Sequence, residues 1–319
     1  MQNKLQYQMG FKEWALLIFL SILWGGSFFF SKIALRELQP FTIVFTRVSL
    51  AAILLNGILI ATGQRLPGAP KRWAGFLLMG TLNNAVPFSL IFWGQTQISS
   101  GLASILNATT PLWTILLAHL LTRDERLTAN KVGGVLFGIL GVTTLIGWDL
   151  FKGIQGNAWA QLAVVGAAVS YAFAGIFAKR LKETKPLTLA AGQLTCSSIL
   201  MLPIMLIIDR PWTQPFPSTT VIGAMLSLVV LSTALAYIIY FRLLAVAGAT
   251  NALLVTFLIP VSALTLGIVI LHEVFTASQF IGMALIGFGL VLMDGRVLAR
   301  LRQPRNKTTS NLSMNDQQL

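Results

Sequence analysis

Charge is what this sequence has least of. Only 10% of its 319 residues are Asp, Glu, Lys or Arg, against about 25% in soluble domains, and mean hydropathy is +0.76. That excludes a disordered chain and argues against an ordinary soluble domain. Cysteine is nearly absent: Cys196 stands alone, so neither an intrachain disulfide nor a Cys-based zinc cluster can form. The only histidines are His119 and His272, and neither lies at metal-ligand spacing with an Asp, Glu or Cys. Carboxylates number ten; Glu13, Glu37, Asp149, Asp209, Glu273 and Asp294 all fall near the ends of apolar runs. A membrane enzyme would need a nucleophile with its base, or metal ligands, and no His-Glu-x-x-His or Gly-x-Ser-x-Gly motif is present. Catalysis, a metal and a cofactor are therefore not expected.

What the sequence has in abundance is apolar length, at 55% of residues. A membrane-crossing helix needs about 20 apolar residues. Ten runs qualify: roughly 13–35, 41–62, 73–93, 98–121, 127–148, 157–178, 187–208, 219–241, 249–271 and 276–294. The first is too long for a signal-peptide core and lacks a small-x-small cleavage site, so it reads as a retained anchor. The polar stretch 303–319 reads as a disordered tail. No loop between runs is long enough for a soluble recognition domain.

The net charge is +13, which in a soluble protein would suggest nucleic acid. Here Lys and Arg fall between the runs, and alternately so. Eighteen lie in one alternating set of connections and tails, and four, Lys32, Arg36, Lys152 and Arg210, in the other; Arg47 lies within a run. Positive charge accumulates on the cytoplasmic side, so both termini, including residues 1–12, are expected there, and no nucleic-acid partner is.

The two halves resemble each other at an offset of about 147 residues. Pro111-Leu112-Trp113 falls opposite Pro260-Val261-Ser262, and Glu125-Arg126-Leu127-Thr128 opposite Glu273-Val274-Phe275-Thr276. Gly134 then matches Gly282, and Gly141 matches Gly289. Each half, 13–148 and 157–294, is one unit of five helices. Five being odd, the second unit enters from the opposite side, which predicts an all-α integral membrane protein of ten transmembrane helices in two inverted five-helix repeats. Such repeats allow alternating access.

Trp24-Gly25-Gly26-Ser27, then Lys32, Pro40 and Arg47, the mid-run prolines of runs 4 and 9, and the Glu-Arg-Leu-Thr turn together resemble the EamA family of the drug/metabolite transporter superfamily, over residues 14 to 294. Two positions depart from it: where the family suggests a glycine before the turn glutamate, this chain has Asp124 and His272. The resemblance implies a permease of a plasma (bacterial inner) membrane that exports amino acids, other metabolites or drug-like compounds. Its partners would be the lipid bilayer and a small-molecule substrate, with a homodimer admissible.

Candidate residues follow from chemistry. A proline within a helix frees the carbonyl four residues earlier, so Pro87, Pro111 and Pro260 are expected to be kinks that free Asn83, Asn107 and Thr256. Polar stripes at helical spacing, Asn84-Phe88-Phe92-Gln95, Ser100-Ser104-Asn107-Pro111-Thr114 and Thr233-Tyr237-Tyr240, should face inward, because an unpaired amide in hydrocarbon is costly. Interhelical hydrogen bonds would use the same residues. The cavity candidates are Trp24, Asn83, Asn84, Gln95, Asn107, Tyr171, Gln193, Tyr237 and Asn251. Arg47, the one intramembrane charge, is read either as a substrate group or as a structural clamp. Gly134, Gly138, Gly141, Gly282, Gly287 and Gly289 fit close helix approach.

Overall fold

The computed structural model describes residues 9–122, 128–151, 157–181, 183–252 and 254–294. Among them every regular element is helical. Eight helices are long and apolar enough to cross a membrane: α1 (Phe11–Ala34), α2 (Pro40–Ala61), α3 (Pro70–Gln95), α4 (Ser100–Leu121), α5 (Ala129–Gly147), α6 (Ala158–Leu181), α7 (Pro186–Thr213) and α8 (Thr219–Ala247). Two shorter apolar helices follow, α9 (Val255–Leu271) and α10 (Ala277–Met293). Large apolar side chains such as Ile53, Ile199, Ile207 and Phe280 are exposed, as a lipid-embedded surface requires. This is a multi-pass membrane protein.

Ten full-length helices were expected, and eight have that length. The ninth run is divided, because Gly248, at φ 79°, ends α8 and a short helix Ala249–Ala252 precedes α9. Only 17 residues remain continuous there. Glu125 and the tail 303–319 lie outside the described residues, as do residues 1–8.

Local sequence explains the helix starts. Pro40, Pro70 and Pro186 occupy first turns, where a missing N–H costs nothing. Ser99 and Ser218 cap α4 and α8 by accepting from the N–H groups of Leu102 and Val221. His272, one of the two places where the family resemblance suggests glycine, ends α9 in the left-handed conformation at φ 56°, a geometry glycine adopts without strain.

The halves meet through antiparallel pairs. A Cβ on Gly134 would lie 2.5 Å from the Gly289 carbonyl oxygen, and one on Gly141 2.7 Å from that of Gly282, so α5 and α10 touch backbone to backbone. The glycines matched in sequence are thus cross-paired in space. Between α2 and α7 the Ser49 and Ser198 hydroxyls meet at 2.7 Å, and Asn56 donates to Thr195 at 3.0 Å.

The prolines do three different things. Pro111 accompanies a true break: α4 is two helices, Ser100–Asn107 and Thr110–Leu121. The Asn107 carbonyl accepts from Thr110 Oγ1 at 2.7 Å. Pro87 follows a π-helical turn, Thr81–Ala85, within α3. Pro260, the counterpart of Pro111 in the repeat and expected like it to be a kink, lies inside continuous α9; the second half interrupts its chain earlier, before Val255. A matching π-helical turn, Val230–Leu235, occurs in α8 without any proline. Its position corresponds to that in α3 through the repeat, so proline is not its cause.

Candidate functional site

The helices enclose a cavity of about 260 Å³. Trp24, Ser27, Phe28 and Ser31 of α1 line it with Arg47 of α2 and Asn83, Phe88, Ile91 and Phe92 of α3. Asn107, Ala108 and Thr110 reach it from the break in α4, and Tyr171 from α6. Ser232, Thr233, Tyr237 and Tyr240 of α8 complete one side, and Ala252, Val255, Thr256 and Ile259 the other. The π-helical turns of α3 and α8 and the α4 break therefore open onto the same space, in keeping with irregular backbone being tolerated where it lines a cavity.

Arg47 is the charge in this wall. It is 4% exposed and does not snorkel outward. Its Nε donates to Thr233 Oγ1 at 2.9 Å, and one terminal nitrogen to Ser27 Oγ at 2.9 Å; the other reaches the Ser232 carbonyl at 3.4 Å. The guanidinium carbon stands 4.0 Å from the centre of the Phe88 ring, a cation–π contact. Among the described residues no carboxylate pairs with it. Arg47 thus ties α2 to α1, α3 and α8 as a structural clamp and also lines the cavity.

Two acceptors complement that charge. Asn107 Oδ1 and Ser232 Oγ are buried atoms without a hydrogen-bond partner in the structure, and both residues line the cavity. An unsatisfied buried acceptor costs about 1–3 kcal/mol, so each is a position where a ligand donor would be stabilising. The remaining wall is aromatic, with the Trp24 and Tyr240 rings 5.3 Å apart.

Of the nine cavity candidates drawn from sequence, the structure brings Trp24, Asn83, Asn107, Tyr171 and Tyr237 to the cavity. Four are not among its lining residues. Asn84 is buried, donating to Ser197 Oγ at 3.3 Å and accepting from the Tyr237 hydroxyl at 3.1 Å. Gln95 accepts from Ser31 at 2.6 Å and donates to the Phe28 carbonyl at 2.9 Å, tying α3 to α1. Gln193 accepts from Asn83 at 3.3 Å, and Asn251 donates to the Ala247 carbonyl at 3.0 Å. Asn84, Gln95 and Gln193 thus bond neighbouring helices, the alternative use of a polar stripe, whereas the Asn251 bond is to the preceding turn of its own segment. Sequence reasoning passed over Ser31 and Ser232, short hydroxyls in apolar runs that carry no pattern of their own.

Comparison with known proteins places this architecture. A chain in a solved crystal structure superimposes with a TM-score of 0.64 at 18% identity, covering 89% of this chain and 98% of that one, which is a likeness of fold. The uncharacterized transporter YoaV of Bacillus subtilis is 23% identical over 281 residues, 86% of this chain and 94% of its own. An uncharacterized transporter of Archaeoglobus fulgidus is 27% identical over 284 residues, 88% and 98% of the two chains. The uncharacterized inner membrane transporter YedA of Escherichia coli is 26% identical over 282 residues, 87% and 89%. The profile of the EamA-like transporter family matches twice, over residues 12–147 and again over 158–293. The doubled motifs, the helical bundle and these two matches agree, and the chain belongs to the EamA-like transporter family.

Proposed function

We propose that the protein exports small zwitterionic or neutral metabolites, such as amino acids or amphipathic drug-like compounds, through this cavity by alternating access. One observation carries the reading: Arg47 holds a buried positive charge on the cavity wall, with hydroxyl, carbonyl and aromatic partners and no carboxylate among the described residues. A substrate carboxylate would complete that charge, and Asn107 Oδ1 and Ser232 Oγ would accept from a substrate N–H or O–H. The aromatic wall suits an apolar substituent. Phosphate-bearing substrates call for several cationic groups, and among the described residues Arg47 is the one such group lining this cavity. Transport is also the activity of the family to which the chain belongs.

All ten apolar helices cross the membrane in this reading, as two inverted five-helix repeats with both termini cytoplasmic. α9 and α10 sit at the short end of the crossing range of about 17–25 residues, and the antiparallel α5–α10 contact has the sense an inverted repeat requires. The test is counterflow in proteoliposomes with labelled amino acids, amines and small aromatics, and a sugar phosphate as control. Saturable flux of a zwitterion, lost in Arg47→Met, is the expected outcome. Flux of the sugar phosphate alone refutes the substrate class, and absence of all flux favours a scaffold role.

A further inference from the structure

Helix Ser100–Asn107 has a cavity residue at one end and a carboxylate from the other half of the chain at the other. Glu273, in the turn between α9 and α10, accepts from the Ser100 N–H at 2.7 Å, the Ser100 hydroxyl at 2.8 Å and the Gly101 N–H at 3.2 Å. The surroundings are shaped to this contact. His272, in its left-handed conformation, turns the chain back, and the Glu273 N–H donates to the Gly267 carbonyl at 3.0 Å. A Cβ on Gly267 would lie 2.5 Å from Glu273 Oε2 and 2.9 Å from Ser100 Oγ, so only glycine leaves room for the carboxylate. Lys32 of α1 closes the same end, donating to the Gln95 carbonyl at 2.6 Å and the Ile98 carbonyl at 2.8 Å.

The consequence is an asymmetric α4. Residues 100–106 are all buried, whereas beyond the break most of 110–117 is partly exposed. At the Glu273 end this buried helix is held by the carboxylate. Alternating access requires a gate that opens there, and the element that must move is eight residues long, about 12 Å at 1.5 Å per residue, with a backbone break at Ala108–Thr109 directly after Asn107.

We propose that Glu273 is the latch of this gate and that helix Ser100–Asn107 is the lever joining it to the cavity. A ligand donor engaging Asn107 Oδ1 pulls on one end of a rigid helix; the other end carries the N–H groups that Glu273 holds. The carboxylate is a positioning residue, since it acts on substrate only through the lever. The inference rests on the transporter reading and deepens it, by assigning the coupling between occupancy and gate to one carboxylate.

The test uses full-length protein in oriented vesicles, in a Cys196→Ala background. Single cysteines are placed at Ser104, behind the latch, and at Thr110, on the cavity side, and labelled with a membrane-impermeant maleimide from each face. In Glu273→Gln, labelling at Ser104 from the Glu273 face is expected to rise about tenfold, equivalent to about 1.4 kcal/mol. Labelling at Thr110 from the opposite face should fall in step. Ser100→Ala, which removes one of the three bonds, should move both in the same directions by less, and carries the test by itself if Glu273→Gln does not fold. Unchanged labelling at both sites overturns the latch. So does a rise at Ser104 with Thr110 unchanged, which is local fraying. Absence of counterflow in the unmodified protein would refute the transporter reading instead, and the labelling would still decide whether the gate exists.

Discussion

Replacing Asn107 by leucine separates a binding residue from a structural one. If Asn107 held the fold together, its loss would destabilise the protein. The structure says the reverse: its side-chain oxygen has no hydrogen-bond partner within the protein, so its loss breaks no internal bond. The break in α4 does not depend on that side chain, because Thr110 Oγ1 bonds the Asn107 backbone carbonyl and Trp113 Nε1 bonds Thr109 Oγ1 at 3.1 Å. Asn107→Leu removes the orphan acceptor at similar volume. The melting midpoint in detergent should therefore hold. Transport should fail, since a hydrogen bond to a charged donor is worth about 1.5–3 kcal/mol, or about 10- to 150-fold in apparent affinity. The measurements are a thermal-shift curve and proteoliposome counterflow on one preparation. A variant that melts several degrees lower yet carries substrate normally would refute the assignment of Asn107 to the cavity.

Arg47→Lys keeps the charge but cannot span Ser27, Thr233 and the Phe88 ring together. Counterflow KM should rise about 10-fold or more, for the loss of at least one charged hydrogen bond of about 1.5–3 kcal/mol, whereas an unchanged KM would count against a substrate carboxylate at this place. Gly141→Leu drives a side chain into the Gly282 carbonyl and Ile286; overpacking of this kind costs about 1–3 kcal/mol, and thermal shift should show it, while the same change at Gly57, which faces open space, should be tolerated. Glu37, outside the helices, accepts from the Ser218 N–H at 2.6 Å and the Ser218 hydroxyl at 2.7 Å. These two bonds, the backbone one first, hold its carboxyl below the usual value of 4.5. A depressed carboxylate stabilises above its unfolded pKa and loses that contribution as pH falls through the folded one. The melting point of Glu37→Gln should lie below that of the unmodified protein at neutral pH and converge with it in acid; parallel curves across the range would rule the contribution out.

The amino-acid sequence by itself determined the helical class, the membrane setting and the family. Each of these depends on properties summed along the chain: the length of apolar runs, the side on which Lys and Arg accumulate, and doubled motifs such as Glu125-Arg126-Leu127-Thr128 and Glu273-Val274-Phe275-Thr276. It also marked glycines of α5 and α10 for close helix approach without pairing the two helices; Gly134, Gly141, Gly282 and Gly289 make that contact, and Gly287 faces open space. What only the tertiary structure decided is which polar group meets which neighbour. Asn83 and Asn84 are adjacent and chemically identical, yet Asn83 lines the cavity and Asn84 is spent on Ser197 and Tyr237. Gln95 looked as exposed to the interior as Asn107, but α1 supplies its partners, and only Asn107 keeps an unpaired oxygen. Helical periodicity fixes the side of a helix that is polar; the helix standing opposite fixes whether that polarity is already satisfied. The grip of Glu273 on Ser100 belongs to the same class. It joins segments far apart in sequence, where local pattern carries no information and packing of the two halves supplies it.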